Sequence, residues 1–206
     1  QTCALPISEQ ARAYAAANFA EAHARYPRLF LEKFPNPPAA GHALDIGCGP
    51  GDVTRRFAAV LPGWQFDAVD GSPAMLAQAP TSERIRYLEG FIPGVKLPRP
   101  RYDLVLSSSL LHHLHNPAGL WETIRRHAAG MVFVVDLQRP PSRQAAQEIV
   151  AAQSAGEPEV LQRDFFNSLL AAFTLAEVRE QLAAAGLTSL TVESISDRHL
   201  AVTGII

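Results

Sequence analysis

Apolar positions along this chain recur in short blocks, and their spacing switches back and forth between the two-residue period of a strand and the 3.6-residue period of a helix. From Glu9 to about Phe34, the residues Tyr14, Phe19, Tyr26 and Phe30 stand among Ala, Glu, His and Arg. That pattern predicts a helix broken near Pro27 and then a shorter one. Pro35-Asn36-Pro37-Pro38 stops the helical run, and His42-Ala43-Leu44-Asp45-Ile46 follows as a strand that ends in Gly47-Cys48-Gly49-Pro50-Gly51. The next helix carries Phe57, Ala58 and Leu61, with Asp52 and Thr54 as expected caps and Pro62-Gly63 as its stop.

The alternation then repeats. Gln65 to Asp70, Ile85 to Leu88 and Tyr102 to Ser107 read as strands, and Ser72-Pro73 opens a short helix through Met75 and Leu76. Pro117 suits the first turn of a helix through Trp121 and Ile124. Met131 to Leu137 is an unbroken apolar run of the kind buried on both faces of a parallel sheet. Helices are predicted over Gln144 to Ala155, Phe165 to Phe173 and Leu175 to Ala185, the last capped by Gly186. Leu190 to Ile195 and His199 to Thr203 close the chain as a hairpin. Strands alternating with helices and ending in a hairpin predict an α/β fold, doubly wound, with a mostly parallel sheet.

Composition narrows the function. With 206 residues, 48% hydrophobic and a formal net charge of -2, the chain suits one domain, and eighteen Lys plus Arg against twenty Asp plus Glu give no general pull toward nucleic acid or an anionic membrane. Cys3 and Cys48 are too few for a disulfide framework or a zinc site, so no metal is expected. Without a membrane-length apolar run or a secretory leader pattern, the cytoplasm is the expected compartment. Gln1-Thr2-Cys3-Ala4-Leu5-Pro6-Ile7 can be read back into a common sequencing-library adapter, which predicts a non-native leader over residues 1–8 and a domain over 9–206. Within it, 9–38 and 139–172 lie outside the alternating core and are expected to form lids.

In an open parallel sheet the ligand lies at the carboxyl ends of the strands, beside the first one. There the glycine turn lets backbone approach a ligand and the next helix offers free N–H groups. Asp70 follows about twenty positions later, the usual distance for a carboxylate that holds a ribose. These features point to an adenosine-type ligand. The dinucleotide fingerprint would need a glycine three residues after Gly49, where Asp52 stands. Asp45 is also badly placed against a pyrophosphate and well placed for an ammonium and a sulfonium.

These residues resemble the class I S-adenosylmethionine-dependent methyltransferases, in particular the small-molecule branch termed type 11 or 12. Asp45-Ile46-Gly47-Cys48-Gly49-Pro50-Gly51 is similar to the family's first motif. Asp70 with Ser72-Pro73 and Met75-Leu76 is similar to its second, and Tyr102-Asp103-Leu104-Val105 running to Leu111-His112-His113-Leu114 to its fourth. The likeness covers roughly residues 42 to 138. It implies a seven-stranded sheet whose last strand inserts between its neighbours. It also implies that Gly47, Gly49 and Gly51 line the methionine part, that Asp45 orients it, that Asp70 holds the ribose and that Met75 packs on adenine. Cys48, Gly71, Gly90 and Ser107 complete the expected cofactor set. Where the family usually has Gly-Asp-Ala after the third strand, this chain has Glu89-Gly90-Phe91, so Phe91 is expected to pack on the ring in place of a hydrogen bond.

The acceptor side is less determined. His112 and His113 are candidate bases, and Asp136, at the end of the fifth strand, completes the catalytic candidates. Phe19, His112, Arg139, Phe166 and Asn167 are the candidate acceptor contacts. Cys48 reads as a small filler, which disfavours cytosine C5 methylation, and Ser107-Ser108-Ser109-Leu110 lacks the Pro-Pro-aromatic signature used on planar amino groups. The expected activity is methyl transfer from S-adenosylmethionine to O, S or N of a small acceptor, leaving S-adenosylhomocysteine. The alternatives are an NAD(P)-dependent oxidoreductase, a cofactor-binding protein without activity, and an RNA methyltransferase.

Overall fold

Runs such as Met131-Val132-Phe133-Val134-Val135 have no polar side to turn to water, so they form strands only where helices cover both faces. The computed structural model describes residues 20–206, and Phe19 and the leader lie outside them. Its strands are β1 (Gly41–Ile46), β2 (Trp64–Asp70), β3 (Ile85–Glu89), β4 (Tyr102–Ser108), β5 (Ala128–Leu137), β6 (Thr191–Ser194) and β7 (His199–Ile205). They form one seven-stranded sheet in the order β3-β2-β1-β4-β5-β7-β6. β1 to β5 pair in parallel, while β7 is antiparallel to β5 on one side and β6 on the other. The order reverses between β1 and β4, which opens a crevice at their carboxyl ends. The mostly parallel, doubly wound sheet with an antiparallel hairpin is therefore as the sequence implies, including the insertion of β7 beside β5.

The helices are α1 (Ala20–Lys33), α2 (Asp52–Val60), α3 (Pro73–Leu76), α4 (Ala118–His127), α5 (Arg143–Gln153), α6 (Glu159–Ala171) and α7 (Leu175–Ala184). On one face α1 and α2 bury Phe30 and Phe57 against Phe133, with ring centroids 5.3 to 5.7 Å apart. Each such ring contributes on the order of 1.5–3 kcal/mol by leaving water. On the other face Trp121 and Ile124 of α4 and Val178 and Leu182 of α7 cover Val132 and Val134. Both tryptophans are fully buried, and each indole N–H finds an acceptor: Trp64 donates to the Pro38 carbonyl at 2.8 Å and Trp121 to Gln181 at 2.9 Å.

Two helix expectations are corrected. α1 runs unbroken through Pro27, because burial of Tyr26 and Phe30 on either side of the proline outweighs the one hydrogen bond lost to it. α6 begins at Glu159, six residues before the predicted start, since its first turn carries Val160 and Leu161 on the exposed side, where they give no core-facing period. α5 and α6 pack on each other around a small core of their own, Ala146, Val150 and Leu169.

Candidate functional site

The turn after β1 is shaped by three glycines with positive φ, each for a different reason. Gly47 (φ 76°) lies against Leu110, and a Cβ there would come within 2.8 Å of its side chain. Gly51 (φ 75°) lies under the Tyr87 hydroxyl, which would stand 2.3 Å from a Cβ. Gly49 (φ 54°) has nothing within 4 Å of where a Cβ would be, so its backbone borders open space. The expected caps of α2 are corrected: Gly51 is the N-cap, and Thr54 reaches inward to donate to Asp45 Oδ2 at 2.5 Å.

Asp45 is the buried charge of this turn. Its residue is fully buried, one carboxylate oxygen is taken by Thr54, and Oδ1 has no partner among the described residues. Burial pushes its carboxyl up to about 7, against the Thr54 hydrogen bond, and the charge of Asp70 adds to the effect. A buried carboxylate with a spare oxygen is a receptor for a cation. Cys48 is buried beside it and its thiol is pushed up, mainly by burial, so it is no nucleophile.

Asp70 ties the loops together: Oδ2 accepts from Gly49 N and Oδ1 from Ser72 N, both at 2.8 Å. Ser72 caps the short α3, which sets Met75 half-buried at the rim. Phe91 is 65% exposed, and its ring lies so close over Gly71 that a Cβ there would meet it at 2.6 Å. Gly90 sits beneath, its N–H on the Asp70 carbonyl, with Val95 filling the space a side chain would need. Ser107 is buried and its hydroxyl is spent on the Ile46 carbonyl at 2.7 Å, which pins β4 to β1.

The end of β4 turns sharply. Ser109 holds a left-handed φ of 53°, a conformation that costs a non-glycine residue on the order of 1 kcal/mol and is kept only where neighbours fix it. The turn lays Leu110 on Gly47 and aims the next backbone amides at Asp136. The buried Asp136 carboxylate accepts from Leu111 N at 2.7 Å, His112 N at 3.3 Å, Leu137 N at 2.7 Å and His112 Nδ1 at 2.6 Å. Two predicted catalytic residues thus stand together. His113 stacks beside His112 with ring centroids 4.0 Å apart, and desolvation followed by the neighbouring imidazole pulls its pKa below the ordinary histidine value.

The remaining predicted contacts are dispersed. Arg139 is a brace: Nε donates to the Ala172 carbonyl at 2.9 Å and its other end pairs with Glu177, the capping-box residue of α7. Phe166 is half-buried under the Arg143 guanidinium, 5.2 Å from its centroid, on a helix that packs against the His112 turn. Asn167 is exposed. Among the described residues no cluster of three or more His, Cys, Asp or Glu could hold a metal ion, and no helix is long and apolar enough to cross a membrane. Sequence reasoning missed Tyr87 and Gln138, whose buried hydroxyl and Oε1 meet no geometrically sound hydrogen-bond partner among the described residues. It also missed the link from His23 Nδ1 on α1 to Asp52 at 2.8 Å, which fastens the N-terminal helix to the start of α2.

Residues 44–133 match a family described as "Methyltransferase domain". A trans-aconitate 2-methyltransferase of Mycobacterium ulcerans is 35% identical over 101 residues, 47% of this chain and 37% of the relative. One from Mycobacterium tuberculosis is 42% identical over 74 residues, 35% of this chain and 27% of the relative. The matches therefore span well under half the length of those curated relatives. Among solved structures, the plantazolicin methyltransferase BpumL, in complex with a triazolic desmethylPZN analog and SAH, superposes with a TM-score of 0.70 at 15% identity, covering 96% of this chain and 90% of that one. A SAM-dependent methyltransferase from Aquifex aeolicus gives 0.69 at 15% identity, covering 98% and 99%. The fold is the Rossmann-like fold seen in these methyltransferases, and the match to the methyltransferase domain covers residues 44–133, which hold the glycine turn, Asp70 and the β4 motif.

Proposed function

We propose that this chain transfers a methyl group from S-adenosylmethionine to an O, S or N atom of a small-molecule acceptor by in-line displacement. The observation that carries the reading is Asp45: a fully buried carboxylate, its Oδ1 unpartnered, set at the base of a glycine turn that opens to free space at Gly49. When bound, the cofactor supplies an activated methyl on a sulfonium. Asp45 balances the cationic methionine end, and Gly47, Cys48 and Gly49 line it. Asp70 keeps lone pairs for the ribose hydroxyls beside its bonds to Gly49 and Ser72, and Gly71 and Gly90 let the adenine lie close to backbone. Met75 and the exposed Phe91 flank the ring, which explains how an aromatic serves where the family usually has an aspartate.

The activated methyl leaves the protein with positioning and exclusion of water as its main tasks. The acceptor lies at the ends of β4 and β5, beside His112 and Asp136, under the α5–α6 pair that carries Phe166 and Asn167. Curated relatives named for trans-aconitate support a small acceptor over a macromolecule, and the near-neutral charge agrees. The N-terminal contact expected at Phe19 lies outside the described residues. Calorimetric titration with S-adenosylhomocysteine, with NADH in parallel, tests the reading. Micromolar binding of the former, weakened at least tenfold in Asp70→Ala and absent for NADH, is expected; NADH binding alone would overturn it in favour of an oxidoreductase.

A further inference from the structure

We propose that His112, oriented by Asp136, is the general base of the transfer, and that the acceptor therefore brings a proton to be removed: a phenol, alcohol or thiol rather than a carboxylate. The inference rests on the methyltransferase reading and sharpens its acceptor class. A carboxylate can only accept from Nδ1, so for the neutral imidazole the 2.6 Å contact selects the Nδ1–H tautomer, with the lone pair on Nε2. Nε2 has no hydrogen-bond partner among the described residues, and the His112 side chain keeps 6% of its surface exposed. Asp136 is held from the other side by the amides of Leu111, His112 and Leu137, so its negative charge is fixed in place. An acceptor already ionised, as a carboxylate is near neutrality, has no use for such a pair.

The neighbouring histidines are poorer candidates. His113 on the same turn is pulled below the ordinary histidine value, first by desolvation and then by His112, and His199 on β7 is held down to about 4, first by burial and then by the charge of Arg198. On α6, which packs against the turn, Arg163 and Asp164 are exposed and face each other at 3.8 Å. His112 is thus the histidine of this turn that a carboxylate orients, through its contact with Asp136. In the step itself, the acceptor's X–H proton passes to His112 Nε2 while the X lone pair forms the new X–C bond. The S–C bond breaks with its electron pair on sulfur, and the imidazolium is balanced by Asp136.

Two readouts test the proposal. In nitrogen-15 NMR of the intact chain near neutral pH, the histidine signal that disappears in His112→Gln should show a protonated Nδ1 and an unprotonated Nε2; the opposite tautomer overturns the assignment without any turnover measurement. For turnover, 4-methylphenol, protonated at pH 7.5, is compared with 4-nitrothiophenol, ionised there, and with trans-aconitate. His112→Gln should slow the phenol about 100- to 10,000-fold, leave the ionised thiol within about threefold, and leave S-adenosylhomocysteine affinity unchanged. Equal slowing of both probes, or turnover of trans-aconitate alone, overturns the proposal. Loss of S-adenosylhomocysteine binding by the wild-type chain would instead sink the underlying methyltransferase reading. Asp136 is a positioning residue, and Asp136→Asn should reproduce the acceptor-dependent split in kcat with KM little changed.

Discussion

Along the carboxyl edge of the sheet, the stretch from Asp45 to Phe91 is shaped chiefly by positive-φ glycines, and the stretch from His112 to Asn167 chiefly by packed helices and the bonds of Asp136 and Arg139. In the first, left-handed φ at Gly47, Gly49 and Gly51 and the amides of Gly49 and Ser72 on Asp70 leave few residue types that fit. In the second, a helix pair with a small core of Ala146, Val150 and Leu169 is tied down by Arg139, Glu177 and its contact with the His112 turn. A cofactor common to many enzymes suits the rigid stretch. Acceptors, which differ from enzyme to enzyme, suit the one whose surface can change without disturbing the sheet.

The sharpest way to break the contrast is in the glycine turn. Gly51→Ala meets Tyr87 and an unfavourable φ together, and should cost about 2–5 kcal/mol in denaturant melts and abolish S-adenosylhomocysteine binding. Gly49→Ala has room, and should cost only about 1–2 kcal/mol, from φ alone. Equal losses would mean that the turn acts as a unit, not through distinct contacts.

Asp45→Asn comes next. Its folded-state pKa of about 7 lies above the ordinary value, so its contribution to stability is present at low pH and is lost as pH rises through about 7. The variant should therefore melt higher than wild type at pH 8, by about 2–4 °C for each kcal/mol of charge burial relieved. With the charged carboxylate as the proposed receptor of the cationic ligand, the variant should bind S-adenosylmethionine at least tenfold more weakly. In wild type, affinity should fall from pH 8 to pH 6, and calorimetry in buffers of different ionisation enthalpy should detect a proton released on binding.

Smaller effects belong to the second stretch. Arg139→Ala should cost about 0.5–1 kcal/mol, since both it and Glu177 keep contact with water, and should raise acceptor KM while S-adenosylhomocysteine affinity stays within twofold. Phe166→Ala should cost about 1 kcal/mol or less, combining a half-buried ring with one cation–π contact. A change in cofactor affinity in either variant would show that the two stretches are coupled.

This division also explains what the sequence disclosed. The glycine turn and Asp70 were legible because a backbone requirement selects residue types at fixed spacing, whereas the inserted last strand came only with the family resemblance. The cap at Gly51 was misassigned to Asp52 and Thr54, because the demand on Thr54 comes from Asp45 beneath it, which no local rule contains. Pro27 reads as a break when only its missing hydrogen bond is weighed and not the burial of Tyr26 and Phe30. Asp136 and His112 were each visible as candidates, but their pairing depends on the left-handed turn at Ser109, which is not the residue type that usually announces one.

The position of β7 between β5 and β6 bears on how the chain is made. β5 ends at Leu137 and β7 begins at His199, so β5 waits through the synthesis of residues 138–198 for the neighbour that will pair with it. At about 5–20 residues per second, that leaves an unpaired apolar strand edge for roughly 3–12 s on the ribosome. The nascent chain is thus an aggregation hazard of its own making, and the strand made last is the one that seals it.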